Sequence, residues 1–207
     1  LSGIVTDSEA FAKRVFMSPH GTNVDKFSSA TEADVVEGRV VFSGNMQYEP
    51  NVQAALWFFE NCWDLILEQC PHAQFYIVGK DPDPRLIQLQ GRRGVFVTGT
   101  VEDVSAYIRS AHVCVNPMRA AGGMQNKLIE YLACGKLVVA TSIANEGVLA
   151  TESELSIADA KEKFVAGVVE MLMRPVGERV NVAAREFVLQ KWTWEACFYE
   201  QEMAVLN

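Results

Sequence analysis

The sequence predicts an α/β fold, a Rossmann-like doubly wound parallel sheet followed by extra C-terminal helices. From Gly38 to Ser142, short apolar segments alternate with amphipathic ones at regular spacing. This alternation is typical of parallel strands joined by crossover helices. The length of 207 residues and the hydrophobic content of 49% are sufficient for one sizeable core. One domain with appended helices is therefore expected.

Local patterns predict each element of the alternating region. The apolar residues 39–43 predict a buried strand that ends at Gly44. Pro50 suits the first turn of a helix over residues 51–69, whose apolar positions recur at helical spacing. The elements that follow are a strand at 74–78, a short helix at 83–90, a strand at 94–97, a helix before a strand at 112–116, a helix at 126–134 and a strand at 137–140.

The remaining patterns are helical. Thr100 is predicted to cap the helix that extends through Arg109. After Ser142 the alternation is expected to stop, because a short apolar piece at 155–157 is followed only by helical patterns, at about 160–173, 177–191 and 194–206. Trp194 and Phe198 give the last helix an apolar face that needs a partner, and its own domain is the simplest one.

Composition excludes several classes of function. A net charge of −8 argues against a protein that coats nucleic-acid phosphates, since such proteins rely on clustered lysine and arginine. The five cysteines have no CxxC spacing and indicate reduced thiols in a cytoplasmic protein. The three histidines lack metal-ligand spacing, so no metal is expected. No apolar run reaches membrane-spanning length, and a start at Leu1 suggests a piece of a longer protein.

The segment from Gly122 to Glu130 is the candidate anion site. Gly122 and Gly123 allow the backbone to come close to a ligand where a strand gives way to a helix. The first N–H groups of a helix lack internal partners and attract anions. Lys127 adds a point charge, and Glu130 is suited to accept hydrogen bonds from paired hydroxyls. The alternative is an ordinary turn followed by a solvated Lys127–Glu130 pair.

Glycine turns also follow the other predicted strands. Gly44, Gly79 and Gly99 come directly after or near the ends of the first three strands. The carboxyl ends of parallel strands lie at one edge of the sheet, so these turns and the Gly122–Gly123 turn are expected to face one crevice. Their convergence favours a functional site, although some of them are expected to be plain turns.

The strand ends and the glycine segment carry a family resemblance. The motifs are Val41-Phe42-Ser43-Gly44, Ile77-Val78-Gly79, the segment from Val97 to Asp103, and the block from Val115 to Gly147 that contains Gln125-Asn126-Lys127, Glu130 and Gly135-Lys136. Two flanking segments, Pro19 to Phe27 and Lys191 to Glu195, add to the pattern. Together they resemble the C-terminal half of a GT-B glycosyltransferase of the glycosyltransferase group 1 (GT4-type) family, over nearly the whole chain.

The resemblance implies a retaining transferase with a UDP- or GDP-linked sugar donor and with neither a cofactor nor a metal. Under it, Lys127 and Glu130 are the candidate catalytic residues: Lys127 adds charge at the diphosphate and Glu130 binds the ribose diol. The implied donor-binding residues are Gly44, Asn45, Gly79, Gly99, Thr100, Val101, Arg119, Gly122, Gly123, Met124, Gln125, Asn126, Lys127 and Glu130.

The resemblance also implies a division of the chain. Residues 1–37 are expected to end an N-terminal domain and connect it to a donor-binding domain at 38–190, and residues 191–207 to form a crossover helix. The expected partners are the nucleotide-sugar donor and the missing N-terminal acceptor-binding domain, with peripheral membrane association through that half as one option. The expected role is surface polysaccharide or glycolipid assembly by a cytoplasmic protein, and the chain alone is expected to be inactive.

Two alternatives stay open at this point. Half of a GT-B-like nucleotide-sugar epimerase would usually carry acid/base carboxylates and histidines around the phosphate turn, which this chain lacks. A non-catalytic nucleotide-sugar-binding or regulatory module is favoured slightly by two departures from the family pattern. The turn after Gly44 lacks the common basic residues, and Gly122 stands where a glutamate is frequent, which leaves the sugar unassigned.

Overall fold

The computed structural model of the chain describes residues 20–120 and 123–199. Within these residues the strands are β1 (Arg39–Ser43), β2 (Gln74–Val78), β3 (Val95–Val97), β4 (Val113–Asn116), β5 (Leu137–Ala140) and β6 (Ser156–Ile157). They form one sheet in the order β3-β2-β1-β4-β5-β6. Every neighbouring pair is parallel. The predicted α/β fold with a Rossmann-like doubly wound parallel sheet is therefore confirmed.

The order of the strands locates the crevice where such sheets bind ligands. The chain adds β2 and β3 on one side of β1, returns to place β4 on the other side, and then extends outward through β5 and β6. The direction of growth thus reverses between β1 and β4. Ligands of open α/β sheets bind outside the carboxyl ends of the strands at this reversal. The segments that follow Ser43 and Asn116 therefore form the walls of the crevice.

Helices cover both faces of the sheet. They are α1 (Glu49–Phe58), α2 (Asp64–Gln69), α3 (Pro84–Ile87), α4 (Val104–Ser110), α5 (Asn126–Ala133), α6 (Ser142–Asn145), α7 (Lys161–Leu172) and α8 (Val182–Lys191). A π-helical segment, Phe59–Trp63, joins α1 to α2, so the helix predicted over residues 51–69 is nearly continuous. Residues 194–199 are helical up to the last described position.

Three expectations about element boundaries are wrong. Thr100 does not cap α4, because the cap is Asp103, whose carboxylate accepts the N–H of Ser105 at 2.8 Å. The last long helix begins at Val182 instead of 177, after Asn181 as its cap. The alternation also continues beyond residue 142, since α6 leads to β6, which pairs with β5. A strand of only two residues carries too little periodicity to be recognised from sequence.

The core lies on both sides of the central strands. All four residues of β4 and of β5 are buried, as expected for parallel strands between two helical layers. An aromatic cluster fills the space between α1, the π-helical segment, β2 and α7, with the rings of Phe58 and Phe75 centred 4.8 Å apart. Phe58 also packs against Trp63 and Phe164. This packing fixes α1 on the sheet next to the crevice.

His112, the residue before β4, is a structural histidine. Its side chain is buried, and its Nδ1 accepts the N–H of Gly38 at 3.2 Å. Burial lowers the pKa of His112 to about 4, and the nearby cations Arg179 and Lys136 contribute to this decrease. The imidazole is therefore neutral at pH 7.

The ends of the described chain meet beside the start of α5. The N–H of Thr22 donates to the carbonyl of Trp192 at 2.7 Å, and the rings of His20 and Trp194 are centred 4.6 Å apart in an edge-on contact. Arg185 of α8 donates to the carbonyl of Phe27 at 2.7 Å. Among the residues that the structure describes, none of the helices has the length and apolar character needed to cross a bilayer.

Candidate functional site

A cleft of about 350 Å³ lies at the carboxyl ends of β1 and β4. The turn after β1, the start of α1 and the start of α5 form its walls. The residues that line it are Gly44, Asn45, Tyr48, Asn51, Met124, Gln125, Asn126, Lys127 and Glu130. Seven of these nine belong to the donor-binding set inferred from the sequence.

The N-terminus of α5 provides the anion-attracting wall. Gln125 occupies the cap position but makes no side-chain bond to the helix. The first N–H groups of α5 therefore have no side-chain cap, and the positive end of the helix dipole faces the cleft. Tyr131 fixes the position of α5, because its hydroxyl accepts the N–H of Ser43 at 2.7 Å and lies 3.0 Å from the Ser43 Oγ. Helix α5 is thus held beside the end of β1.

Lys127 is a partly buried cation in the cleft wall. Its Nζ donates to Asn51 Oδ1 and to Met118 Sδ at 3.8 Å, and lies 4.6 Å from the centre of the Phe42 ring. Burial lowers the pKa of Lys127 to about 7, with opposition from the charge of Glu130. The alternative of a solvated Lys127–Glu130 pair does not describe this side chain, since its hydrogen-bond partners among the described residues are Asn51 and Met118.

Glu130 lies one helical turn further along α5, on the same face of the helix. It lines the main cleft and also a second hollow of about 280 Å³ beside His20 and Trp194. Burial raises the pKa of Glu130, while the charges of Lys26 and Lys127 oppose this rise. A carboxylate at the boundary between the two hollows is suited to accept hydrogen bonds from a polyol that extends out of the cleft.

Gly44 and Gly79 bring the turns after β1 and β2 together. Gly44 donates its N–H to the carbonyl of Val78 at 3.0 Å. A Cβ on Gly79 would lie only 1.7 Å from the Gly44 carbonyl oxygen, and the Gly79 φ of 153° falls in a region that side chains disfavour. Gly79 thus packs against the turn after β1 on the side away from the cleft. Of the two glycines, Gly44 lines the cleft and Gly79 does not.

The segment after β4 is anchored at several points. The guanidinium of Arg119 donates to the carbonyl of Asp159 at 2.8 Å and covers the Trp57 ring at 4.8 Å. Gly123 has φ of 77° and packs against Gly147. A Cβ on Gly147 would lie only 2.9 Å from the Gly123 carbonyl, so the two backbones are in close contact. Arg119 and Gly123 therefore lie outside the cleft lining, and the predicted Gly122 lies outside the described residues.

Gly99, Thr100 and Val101 are not brought to this cleft. They follow β3, the outermost strand on that side, two strands from β1, which corresponds to about 10 Å across the sheet. Gly99 has φ of 67°, and no atom lies within 4 Å of the place where its Cβ would be. The glycine there allows a turn and makes no close approach to the rest of the protein.

Two lining residues were not predicted as site residues. Tyr48 is 55% exposed at the mouth of the cleft, and nothing in the sequence distinguishes it from a turn residue. Asn51 is buried at the start of α1 and contacts Lys127. The sequence held a weak indication for Asn51: a polar residue at a position of the helix that packs against the core is unusual, because such positions are mostly apolar.

Comparisons with known proteins identify the family and the fold of the chain. The family model described as "Glycosyl transferases group 1" matches residues 37–174, which is most of the chain. A search of curated proteins by sequence gave no significant match.

Solved structures with the same fold include sucrose-phosphate synthase from Thermosynechococcus elongatus, with a TM-score of 0.69 and 21% identity over 95% of this chain and 56% of that one. Anabaena HepE in complex with UDP and glucose has a TM-score of 0.66 and 13% identity, over 90% of this chain and 55% of that one. The C-terminal domain of the group 1 glycosyl transferase LpcC from Francisella tularensis has a TM-score of 0.64 and 13% identity, over 84% of this chain and 100% of that one.

The chain spans 37% to 56% of the first three structures it matches. By contrast, it covers the whole of the isolated LpcC domain. These overlaps agree with the resemblance found in the sequence. The chain belongs to the group 1 glycosyl transferases, and its fold is that of the C-terminal domain of these GT-B enzymes.

Proposed function

We propose that this domain binds the diphosphate of a nucleotide sugar in the 350 Å³ cleft and forms the donor half of a retaining glycosyltransferase. The observation that carries the proposal is the meeting of three features at one place. The uncapped start of α5, the ammonium of Lys127 and the turn at Gly44 all line the same cleft. A helix start with an adjacent cation is a favourable place for phosphate groups.

The proposed chemistry uses these groups directly. Cleavage of the bond between the sugar and the diphosphate increases the negative charge on the departing diphosphate. Fixed N–H donors of α5 and the Lys127 ammonium oppose that charge, and donors held in place beforehand stabilise a transition state more than mobile ones do. Glu130 accepts hydrogen bonds from the ribose diol, and Gly44 and Asn45 approach the phosphates from the opposite wall. The positive groups come from the protein, so no metal is required.

The identity of the nucleotide as UDP or GDP is part of the proposal. HepE, which shares the fold, is described in complex with UDP and glucose, and that supports a nucleotide-sugar donor here. The segment from Gly99 to Val101 would then lie beside the base, beyond the cleft that holds the phosphates. Arg119 would act through the position of the glycine turn, since its guanidinium already contacts Asp159 and Trp57.

The acceptor side belongs to the whole protein. We propose a glycan or lipid-linked acceptor bound by an N-terminal domain, in cytoplasmic polysaccharide or glycolipid assembly, with membrane contact made through that domain. The domain described here is then expected to bind the donor but to transfer no sugar alone, because the closing of two domains excludes water from the reaction. A hexosyl donor is the expected type.

Thermal unfolding with a panel of nucleoside diphosphates tests the proposal. A ligand at 100 times its Kd stabilises the folded state by about 2.7 kcal/mol, which corresponds to a rise in Tm of about 5 to 10 °C for a domain of this size. UDP or GDP should give such a rise, and the matching monophosphate a smaller one. Unchanged Tm values with every nucleoside diphosphate at millimolar concentration would contradict the proposal.

A further inference from the structure

Asn51 connects three walls of the cleft although the residue is only 5% exposed. Its Nδ2 donates to the carbonyl of Asn45 at 2.9 Å, in the turn after β1. That bond fixes the orientation of the amide, so that Oδ1 faces the Lys127 ammonium and accepts a hydrogen bond from it. One amide thus ties the turn after β1 and the start of α1 to the first turn of α5.

The surroundings of Lys127 make this contact important. The ammonium faces the Phe42 ring of β1, the Met118 thioether after β4 and, from α1, the neutral Asn51 amide. Among the described residues, Glu130 is the charged group that acts on it. A buried ammonium needs hydrogen-bond acceptors to stay charged, and the amide oxygen of Asn51 is the strongest acceptor that these contacts provide.

The glycine at position 44 leaves room for the same contact. A Cβ on Gly44 would lie 2.8 Å from Asn51 Nδ2 and 3.4 Å from Lys127 Cε. A side chain there would press on the Asn51 amide and would contact the Lys127 side chain. The turn, the amide and the lysine therefore form a single packed unit.

We propose that Asn51 is a positioning residue for the donor diphosphate, which holds the Lys127 ammonium charged and directed at the cleft and thereby sets the pH range over which nucleoside diphosphates bind. This inference rests on the proposed function of the cleft. It adds a role for a residue that need not touch the ligand. The contact is specific, because a neutral amide keeps the cation in place without competing with the phosphates for it, as a carboxylate would.

The proposal predicts how the pH profile of binding changes. Binding by a protonated Lys127 weakens as the pH rises through the pKa of the free site, which lies at about 7. Loss of the Asn51 oxygen lowers that pKa further. A decrease of about one unit makes Asn51→Ala bind UDP about twofold more weakly than the unchanged chain at pH 6 and about tenfold more weakly at pH 8.

Asn51→Asp is predicted to shift the profile in the opposite direction. A carboxylate beside the ammonium raises the pKa of Lys127, so the affinity of this variant relative to the unchanged chain should increase between pH 6 and pH 8. Both variants lose the donor to the Asn45 carbonyl. A purely structural role therefore predicts the same change in both, while a positioning role predicts opposite changes. If one variant does not fold, the pH dependence of the affinity of the other variant, relative to the unchanged chain, still tests the proposal.

Calorimetric titration with UDP at pH 6, 7 and 8 is the experiment. Asn61→Ala is the matched control, because Asn61 is exposed and donates to the Trp57 carbonyl at 2.9 Å, away from the cleft. The control should follow the unchanged chain at every pH. Affinity ratios for the Asn51 variants that do not vary with pH would overturn the positioning role. Failure of the unchanged chain to bind any nucleoside diphosphate would instead overturn the proposed function.

Discussion

Removal of the Glu130 carboxylate is expected to weaken the binding of UDP because the ribose hydroxyls lose their hydrogen-bond acceptor. Glu130 follows Lys127 by three positions on α5, a rise of about 4.5 Å along the helix axis. This offset places the carboxylate next to a ribose when the phosphates lie at the helix start. The carboxylate borders the second hollow, beside His20 and Trp194, so a nucleoside that extends from the cleft would pass it.

The magnitude follows from the kind of bond that is lost. A hydrogen bond to a charged group contributes about 1.5 to 3 kcal/mol, which is about a 10- to 150-fold change in Kd. Glu130→Ala should lose this amount toward UDP, and the unchanged chain should lose a similar amount when UDP is replaced by 2′,3′-dideoxy-UDP. The variant should bind the two ligands almost equally. Calorimetric Kd values for the two proteins and two ligands form a closed cycle.

Two controls make the result specific. Pyrophosphate has no ribose, so at pH 6, where Lys127 is mostly protonated, Glu130→Ala should bind it about as tightly as the unchanged chain or more tightly, since a negative charge has been removed near the anion. Glu60→Ala removes an exposed carboxylate from the π-helical segment and should leave all affinities unchanged. Equal losses of UDP and dideoxy-UDP affinity in Glu130→Ala would refute the assignment of Glu130 to the ribose diol.

Three further predictions concern the scaffold. Gly79→Ala should lower the free energy of unfolding in urea by at least about 3 kcal/mol, because its Cβ would overlap the neighbouring turn. Gly91→Ala, with open space around the new Cβ, should lower it by only about 1 kcal/mol. Equal losses in the two variants would contradict this prediction. Tyr131→Phe should cost about 1 to 3 kcal/mol because it leaves the buried Ser43 N–H unpaired, and an unchanged urea midpoint would argue against that bond. His112 has a pKa lowered to about 4, so between pH 6.5 and pH 4 the unfolded chain binds a proton that the folded protein does not. The free energy of unfolding should therefore fall by about 2 to 3 kcal/mol from pH 7 to pH 4.5. This decrease should be smaller in His112→Gln, and the same pH dependence in both proteins would refute the assignment.

Much of the fold could be predicted from the sequence because its strands are short, apolar and clearly bounded. The glycines after Ser43 and Val78 end the first two strands where the structure ends them. The sixth strand, Ser156–Ile157, could not be recognised, because two residues show no period. The cap of α4 was misplaced because Thr100 and Asp103 are both good cap residues, and only the path of the chain selects Asp103.

The candidate site could be predicted only in part. Sequence order places Lys127 and Glu130 on one face of a helix, and the structure places both in the cleft lining. The contact between Asn51 and Lys127 joins positions 76 residues apart, so no local pattern contains it. Gly79 matched a ligand-binding turn in sequence, yet its closest neighbour is the Gly44 carbonyl. Spacing alone cannot distinguish a glycine that approaches a ligand from one that approaches backbone.

A crystal structure of the domain with UDP would show directly where the diphosphate binds. We expect the diphosphate at the start of α5, within hydrogen-bond distance of the backbone N–H groups and of Lys127 Nζ, with the ribose hydroxyls at Glu130. A diphosphate bound elsewhere, for example in the hollow of about 300 Å³ beside β6 that is lined by Glu170 and Arg174, would contradict it.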